Sequence, residues 1–64
     1  MMLVARQEFM GWSGTIDGRD AKYVAIARDE NSAKNVCLKV AKAKFRRRGV
    51  SIPDCLNNPQ WTSS

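Results

Sequence analysis

Histidine is absent from the chain, so acid, base or nucleophilic chemistry falls to Asp17, Asp20, Asp29, Glu30, Lys22, Cys37 and Cys55. Catalysis needs a base or nucleophile tuned by its neighbours. The one grouping of that kind is Asp20-Ala21-Lys22 beside Asp17, a carboxylate and lysine cluster of the sort nucleases use. Turn chemistry explains the same residues: Asp17-Gly18 is the pair a hairpin tip wants, and Lys22 solvates it. Gly11, Gly14 and Gly18 precede no helix, so they make no phosphate-binding loop. Two cysteines do not fill the four positions of a structural zinc. These residues predict a protein that is not an enzyme and carries no cofactor and no metal.

The cations are a stronger signal. Eleven Lys and Arg against six Asp and Glu give a net charge of +5. Residues 1–33 hold Arg6, Arg19, Lys22 and Arg28 against Glu8, Asp17, Asp20, Asp29 and Glu30, a net −1. Residues 34–64 hold Lys34, Lys39, Lys42, Lys44, Arg46, Arg47 and Arg48 against Asp54 alone, a net +6. A solvated helix face usually mixes signs to gain pairs four residues apart. A run of one sign favours an acidic or polyanionic partner. Lys39, Lys42 and Arg46 are the central candidates for partner binding; Lys44, Arg47 and Arg48 widen the patch. Trp12 joins the candidates as an aromatic anchor, although core or edge packing is its plainer role. Phe9 and Met10 beside it are read first as core and second as an apolar strip for a protein partner.

The elements that must carry these residues can be read from their patterning. Residues 3 to 16 are rich in β-formers and lack helical periodicity, which predicts one extended stretch kinked at Gly11 or Gly14. Asp17-Gly18 predicts a tight hairpin turn. In the next strand Val24 and Ile26 take one face and Tyr23, Ala25 and Ala27 the other, the small alanines leaving room for a covering element. Asp29-Glu30-Asn31-Ser32 starts a helix, with Asn31 or Ser32 as the cap. Its apolar stripe is Ala33, Val36, Cys37, Val40, Ala41 and Phe45, with Asn35, Lys39, Lys42 and Arg46 opposite. Gly49 is placed to take the left-handed cap after the three arginines. Val50-Ser51-Ile52 has the composition of a short third strand, which Pro53 would end. The expected fold is α+β: a β-hairpin, with room for a third short strand, packed against one amphipathic basic α-helix. Residues 1–56 form a single ββα(β) domain and 57–64 a C-terminal tail that only Leu56 and Trp61 can anchor.

At 64 residues a single core is marginal, since a domain this short buries about 60% of the surface of its unfolded chain. The N-terminus has no basic stretch ahead of an apolar run, and no window approaches a membrane span. A cytoplasmic protein with no membrane partner is expected, its two cysteines free thiols in a reducing compartment. An exposed strand edge leaves monomer and homodimer both open.

Several segments resemble a known small family. Met1-Met2-Leu3-Val4 leading into Phe9-Met10-Gly11-Trp12, then Arg28-Asp29-Glu30 ahead of the helix, then Val50-Ser51-Ile52-Pro53-Asp54-Cys55 are similar in order and approximate spacing to the Dmd antitoxins of T4-type bacteriophages. Phe9-Met10-Gly11-Trp12 is the most specific of these. The helix region is several residues shorter here, and the family member compared is near neutral or slightly acidic where this chain is basic. The resemblance implies a phage protein that binds a ribonuclease toxin of the bacterial host, of the RnlA and LsoA kind, and inhibits it by occluding its RNA-cutting site. The expectation is therefore an interaction protein acting on a bacterial host protein in host defence evasion. The alternative is a small basic nucleic-acid-binding module, an arm-type or AP2-like hairpin plus helix, acting in regulation or recombination.

Overall fold

The computed structural model describes residues 1–19 and 21–63. Strands β1 (Met2–Glu8), β2 (Gly11–Asp17) and β3 (Lys22–Ala27) are followed by helix α1 (Glu30–Arg47), a single turn α2 (Asp54–Asn57) and a short strand β4 (Thr62–Ser63). The sheet order is β3-β2-β1-β4, antiparallel except for the parallel β1 and β4 pair. This is an α+β fold in which a hairpin is packed against one main helix.

The extended N-terminal stretch is two strands. They turn at Phe9 and Met10, with Glu8 paired to Gly11. Tight hairpin loops favour residues that accept positive φ, and neither Phe9 nor Met10 takes it. The adjustment falls on Gly11, where a Cβ would overlap the Ala27 carbonyl oxygen. The chain has no turn dipeptide at this point, which is why composition alone runs one strand through it. The β2–β3 hairpin closes at Asp17 and Lys22, a longer loop than the Asp17-Gly18 turn expected, with Gly18 N–H donating to the Ala21 carbonyl at 2.8 Å. Asp20 lies outside the described residues.

Leu3, Ala5, Ile16, Tyr23 and Ala25 project from one face of the sheet into the core, where α1 supplies Ala33, Cys37 and Ala41. Gly14 faces the same way, and a Cβ there would stand 3.0 Å from the Ala33 carbonyl oxygen and 3.2 Å from Cys37 Cβ. The missing side chain lets the helix backbone sit directly on β2. Small residues at 33, 37 and 41 on the helix side make the same close approach possible.

Asp29 caps α1: its carboxylate accepts from Ser32 N–H at 2.8 Å and from the Ser32 hydroxyl at 3.1 Å. The cap is therefore Asp29, with Ser32 donating to it, and neither Asn31 nor Ser32 fills that position. At the other end Gly49 takes φ 70°. Its N–H donates to the Arg46 carbonyl at 3.0 Å, and Val50 N–H donates to that of Phe45 at 3.2 Å. This double closure satisfies two of the carbonyls a helix terminus leaves free.

The buried stripe is narrower than the periodicity implied. Ala33, Cys37, Ala41 and Phe45, flanked by Leu38, face the sheet, whereas Val36 and Val40 are exposed. Residues 50–52 form no strand. Ile52 instead packs on the core with Cys55 and Trp61, beside fully buried Leu56. The additional strand comes from the tail, where Thr62 and Ser63 pair with Val4 and Ala5.

Candidate functional site

Lys39, Lys44, Arg46, Arg47 and Arg48 are exposed on α1 and its cap, and Lys42 is half-buried. At 3.6 residues per turn, Lys39, Lys42 and Arg46 share one side of the helix, while Lys44 and Arg47 lie on the other. The cations thus surround the C-terminal half of α1 and do not form a single ridge. Lys34 is the exception in pairing: its Nζ stands 3.4 Å from Glu30 Oε1 and 5.9 Å from the Trp61 ring centroid. No other ion pair occurs among the described residues.

Arg48 is the most tightly positioned of the set. Its guanidinium lies 5.0 Å from the Phe45 ring centroid and donates to the Tyr23 hydroxyl at 3.4 Å. A cation stacked on an aromatic face keeps its charge while giving up little rotamer freedom. Together with Met1, Gly18, Arg19, Ala21 and Pro53, these three residues line a cavity of about 210 Å³ at the Tyr23 end of β3.

Trp12 belongs to the opposite end. It pairs with Gln7 and Ala27, beside the start of α1 and next to the Phe9–Met10 turn. The molecule is 36 Å long, so Trp12 and the arginine cluster, grouped together from the sequence, are two separate surfaces. Phe9 and Met10 are 99% and 86% exposed. Their plainer role as core residues fails: they form the bare tip of the first hairpin, behind which Trp12 is half-buried.

The sheet face turned away from α1 is uncovered. Val4, Arg6, Glu8, Ser13, Thr15, Lys22, Val24 and Ile26 line a shallow groove across it. Ser13 donates to Glu8 Oε1 at 3.0 Å. Arg6 and Lys22 on this side are balanced by Glu8 and Asp17, so the face has no basic excess. Its apolar exposure was legible in the β3 alternation.

Neither cysteine is bridged. Burial raises the pKa of the Cys37 thiol above its ordinary value, a backbone hydrogen bond at Ile16 opposing in part, and the thiol donates to the Tyr23 carbonyl at 3.4 Å. That environment keeps it protonated and unreactive. Among the described residues no three His, Cys, Asp or Glu side chains gather as a metal site, and no helix is long and apolar enough to cross a membrane. Comparison of the chain with protein-family models, with curated proteins and with solved structures gives no match.

Proposed function

We propose that this protein is a small phage-type interaction protein that docks on a bacterial host protein through its first hairpin and inhibits it by occlusion, with a ribonuclease toxin as the target. The observation that carries this reading is the bare Phe9–Met10 tip. Two large apolar side chains at a tight turn favour neither the turn nor solubility, so their stabilisation must come from a partner. Aromatic and Met side chains backed by a half-buried Trp are the usual anchors of a protein interface. The same four residues, Phe9-Met10-Gly11-Trp12, carry the resemblance to the Dmd antitoxins and favour a toxin as the partner. The basic end of α1 supplies a field that steers the tip toward an acidic surface.

The test is titration of the protein into a purified toxin of the RnlA or LsoA kind, reading affinity by calorimetry and inhibition by RNA cleavage. Phe9→Ser with Met10→Ser is expected to weaken binding about 100-fold, on the order of 3 kcal/mol for two anchor side chains. The melting temperature should stay unchanged. Wild-type protein that neither binds the toxin nor slows RNA cleavage would refute this function.

A second reading, nucleic-acid binding, draws on the unpaired cations of α1. The uncovered sheet face, on which an arm-type or AP2-like module would rely, is charge-balanced, so contact would have to come from the helix. Binding through six to ten phosphates would weaken about 10³- to 10⁵-fold between about 50 and 200 mM salt, whereas tip-driven docking would persist.

A further inference from the structure

Strand β3 is the free edge of the sheet: β2 pairs with it on one side and nothing on the other. Its sequence, Lys22-Tyr23-Val24-Ala25-Ile26-Ala27, has no proline and only Lys22 as a charge. Long, flat, apolar edges of this kind are usually blunted, because their unpaired N–H and C=O groups template another strand. Here the surroundings are apolar as well. Val24 and Ile26 are 53% and 75% exposed on the uncovered face, and Val36 and Val40 are 44% and 38% exposed on α1.

The helix residues lie beside that edge. On one flank of α1, Lys34 reaches Trp61 and Leu38 packs with Leu56, in the C-terminal segment whose β4 pairs with β1. The opposite flank, with Val36 and Val40, is therefore the one over β3. Helical spacing puts Asp29, Val36, Val40, Ala43 and Arg47 on this flank, at intervals of seven, four, three and four residues.

We infer that β3 pairs antiparallel with β3 of a second copy of this chain, so that the two sheets become one and the two α1 helices pack side by side through Val36 and Val40. Three features favour a second copy as the occupant. The first is distance. α1 lies over β2 and β3 and touches β1 much less. With strands about 4.8 Å apart, a two-fold axis at the β3 edge sets the helices about 10 Å apart, at the upper end of the usual 8–10 Å for packed helices. The second is register. Pairing centred on Ala25 sets Val24 against Ile26 of the second copy on one face and small Ala25 against its counterpart on the other, beneath the helices. The third is charge. Helices crossing antiparallel at Val36 and Val40 bring Asp29 of one copy to Arg47 of the other, and the opposed dipoles attract. The same register sets Lys22 against Arg28 of the second copy, where Asp17, paired with Lys22 across the hairpin, and Asp29 offset the repulsion. The Phe9–Met10 tip stays outside this interface.

Sedimentation equilibrium from about 10 µM to about 1 mM, a range that brackets dissociation constants of moderate interfaces, should show the mass rising from 7.2 kDa to twice that value. Ile26→Lys and Val40→Glu alter exposed side chains, so each should keep the native melting temperature and circular dichroism while weakening association at least tenfold. Arg47→Glu should weaken it through the helix ends. Val50→Glu, exposed elsewhere, and Phe9→Ser should associate as the wild type does, which separates this interface from the toxin-binding tip. A wild type that remains at 7.2 kDa throughout, or a dimer unaffected by Ile26→Lys and Val40→Glu, would overturn the proposal.

Discussion

Cys37 shows how one side chain couples packing to pH. Its thiol is wholly buried between α1 and the sheet and hydrogen-bonds the Tyr23 carbonyl. Burial disfavours the thiolate, so the folded protein holds this proton more tightly than the unfolded chain does. With the folded pKa above the unfolded one, the contribution to stability is complete below the unfolded pKa. It is lost as pH rises through that value toward the folded pKa. The wild type should therefore lose more unfolding free energy than Cys37→Ala between about pH 8 and about pH 10, measured by urea denaturation at each pH. A thiol reagent under native conditions should modify Cys55 well before Cys37. Equal rates at the two sites would contradict the burial of Cys37.

At the level of elements, α1 is held by its two termini as much as by its narrow apolar seam. Asp29 closes the start and Gly49 the finish, and the basic last turn of Lys44, Arg46 and Arg47 favours the negative end of the dipole. Asp29→Ala should lower stability by about 1 kcal/mol, with Asp29→Asn recovering most of it because the amide oxygen still accepts from Ser32 N–H. Chemical denaturation of the three proteins decides this. An Asp29→Ala protein as stable as the wild type would show that the cap contributes nothing. The exposed cations of α1 are a different case. They have no structural partner apart from Arg48 on Phe45 and Tyr23 and Lys34 on Glu30 and Trp61, so the fold does not explain their number.

For the molecule as a whole, the C-terminal segment completes the core. The sheet and α1 alone leave Leu3, Ile16 and Leu38 short of neighbours. Leu56 closes the cluster from α2, with Ile52, Cys55 and Trp61 packed around it. In a 64-residue chain one such side chain is a large share of the net stability. Leu56→Ala should cost about 2–5 kcal/mol, the range for a buried leucine that leaves a cavity, and should appear as a melting temperature far below that of any surface variant. A loss under about 1 kcal/mol would mean that the segment is not part of the core.

The amino-acid sequence by itself determined the helix and its left-handed Gly49 cap, the second hairpin, the inward Tyr23-Ala25-Ala27 face and the concentration of cations in one half of the chain. These depend on local periodicity, turn residues and composition, which act over a few neighbouring positions. Tertiary structure decided the rest. The turn at Phe9 and Met10 carries no local signal and exists because β1 finds its partner in β2. Val36 and Val40 fit the helical apolar period yet stay exposed, because Gly14 draws the helix down on the Ala33, Cys37 and Ala41 side. The tail becomes a strand only because β1 offers it a free edge. Trp12 and the arginines, grouped by chemistry from the sequence, end up far apart because α1 runs back antiparallel to β3 and carries its basic end away from the first hairpin tip.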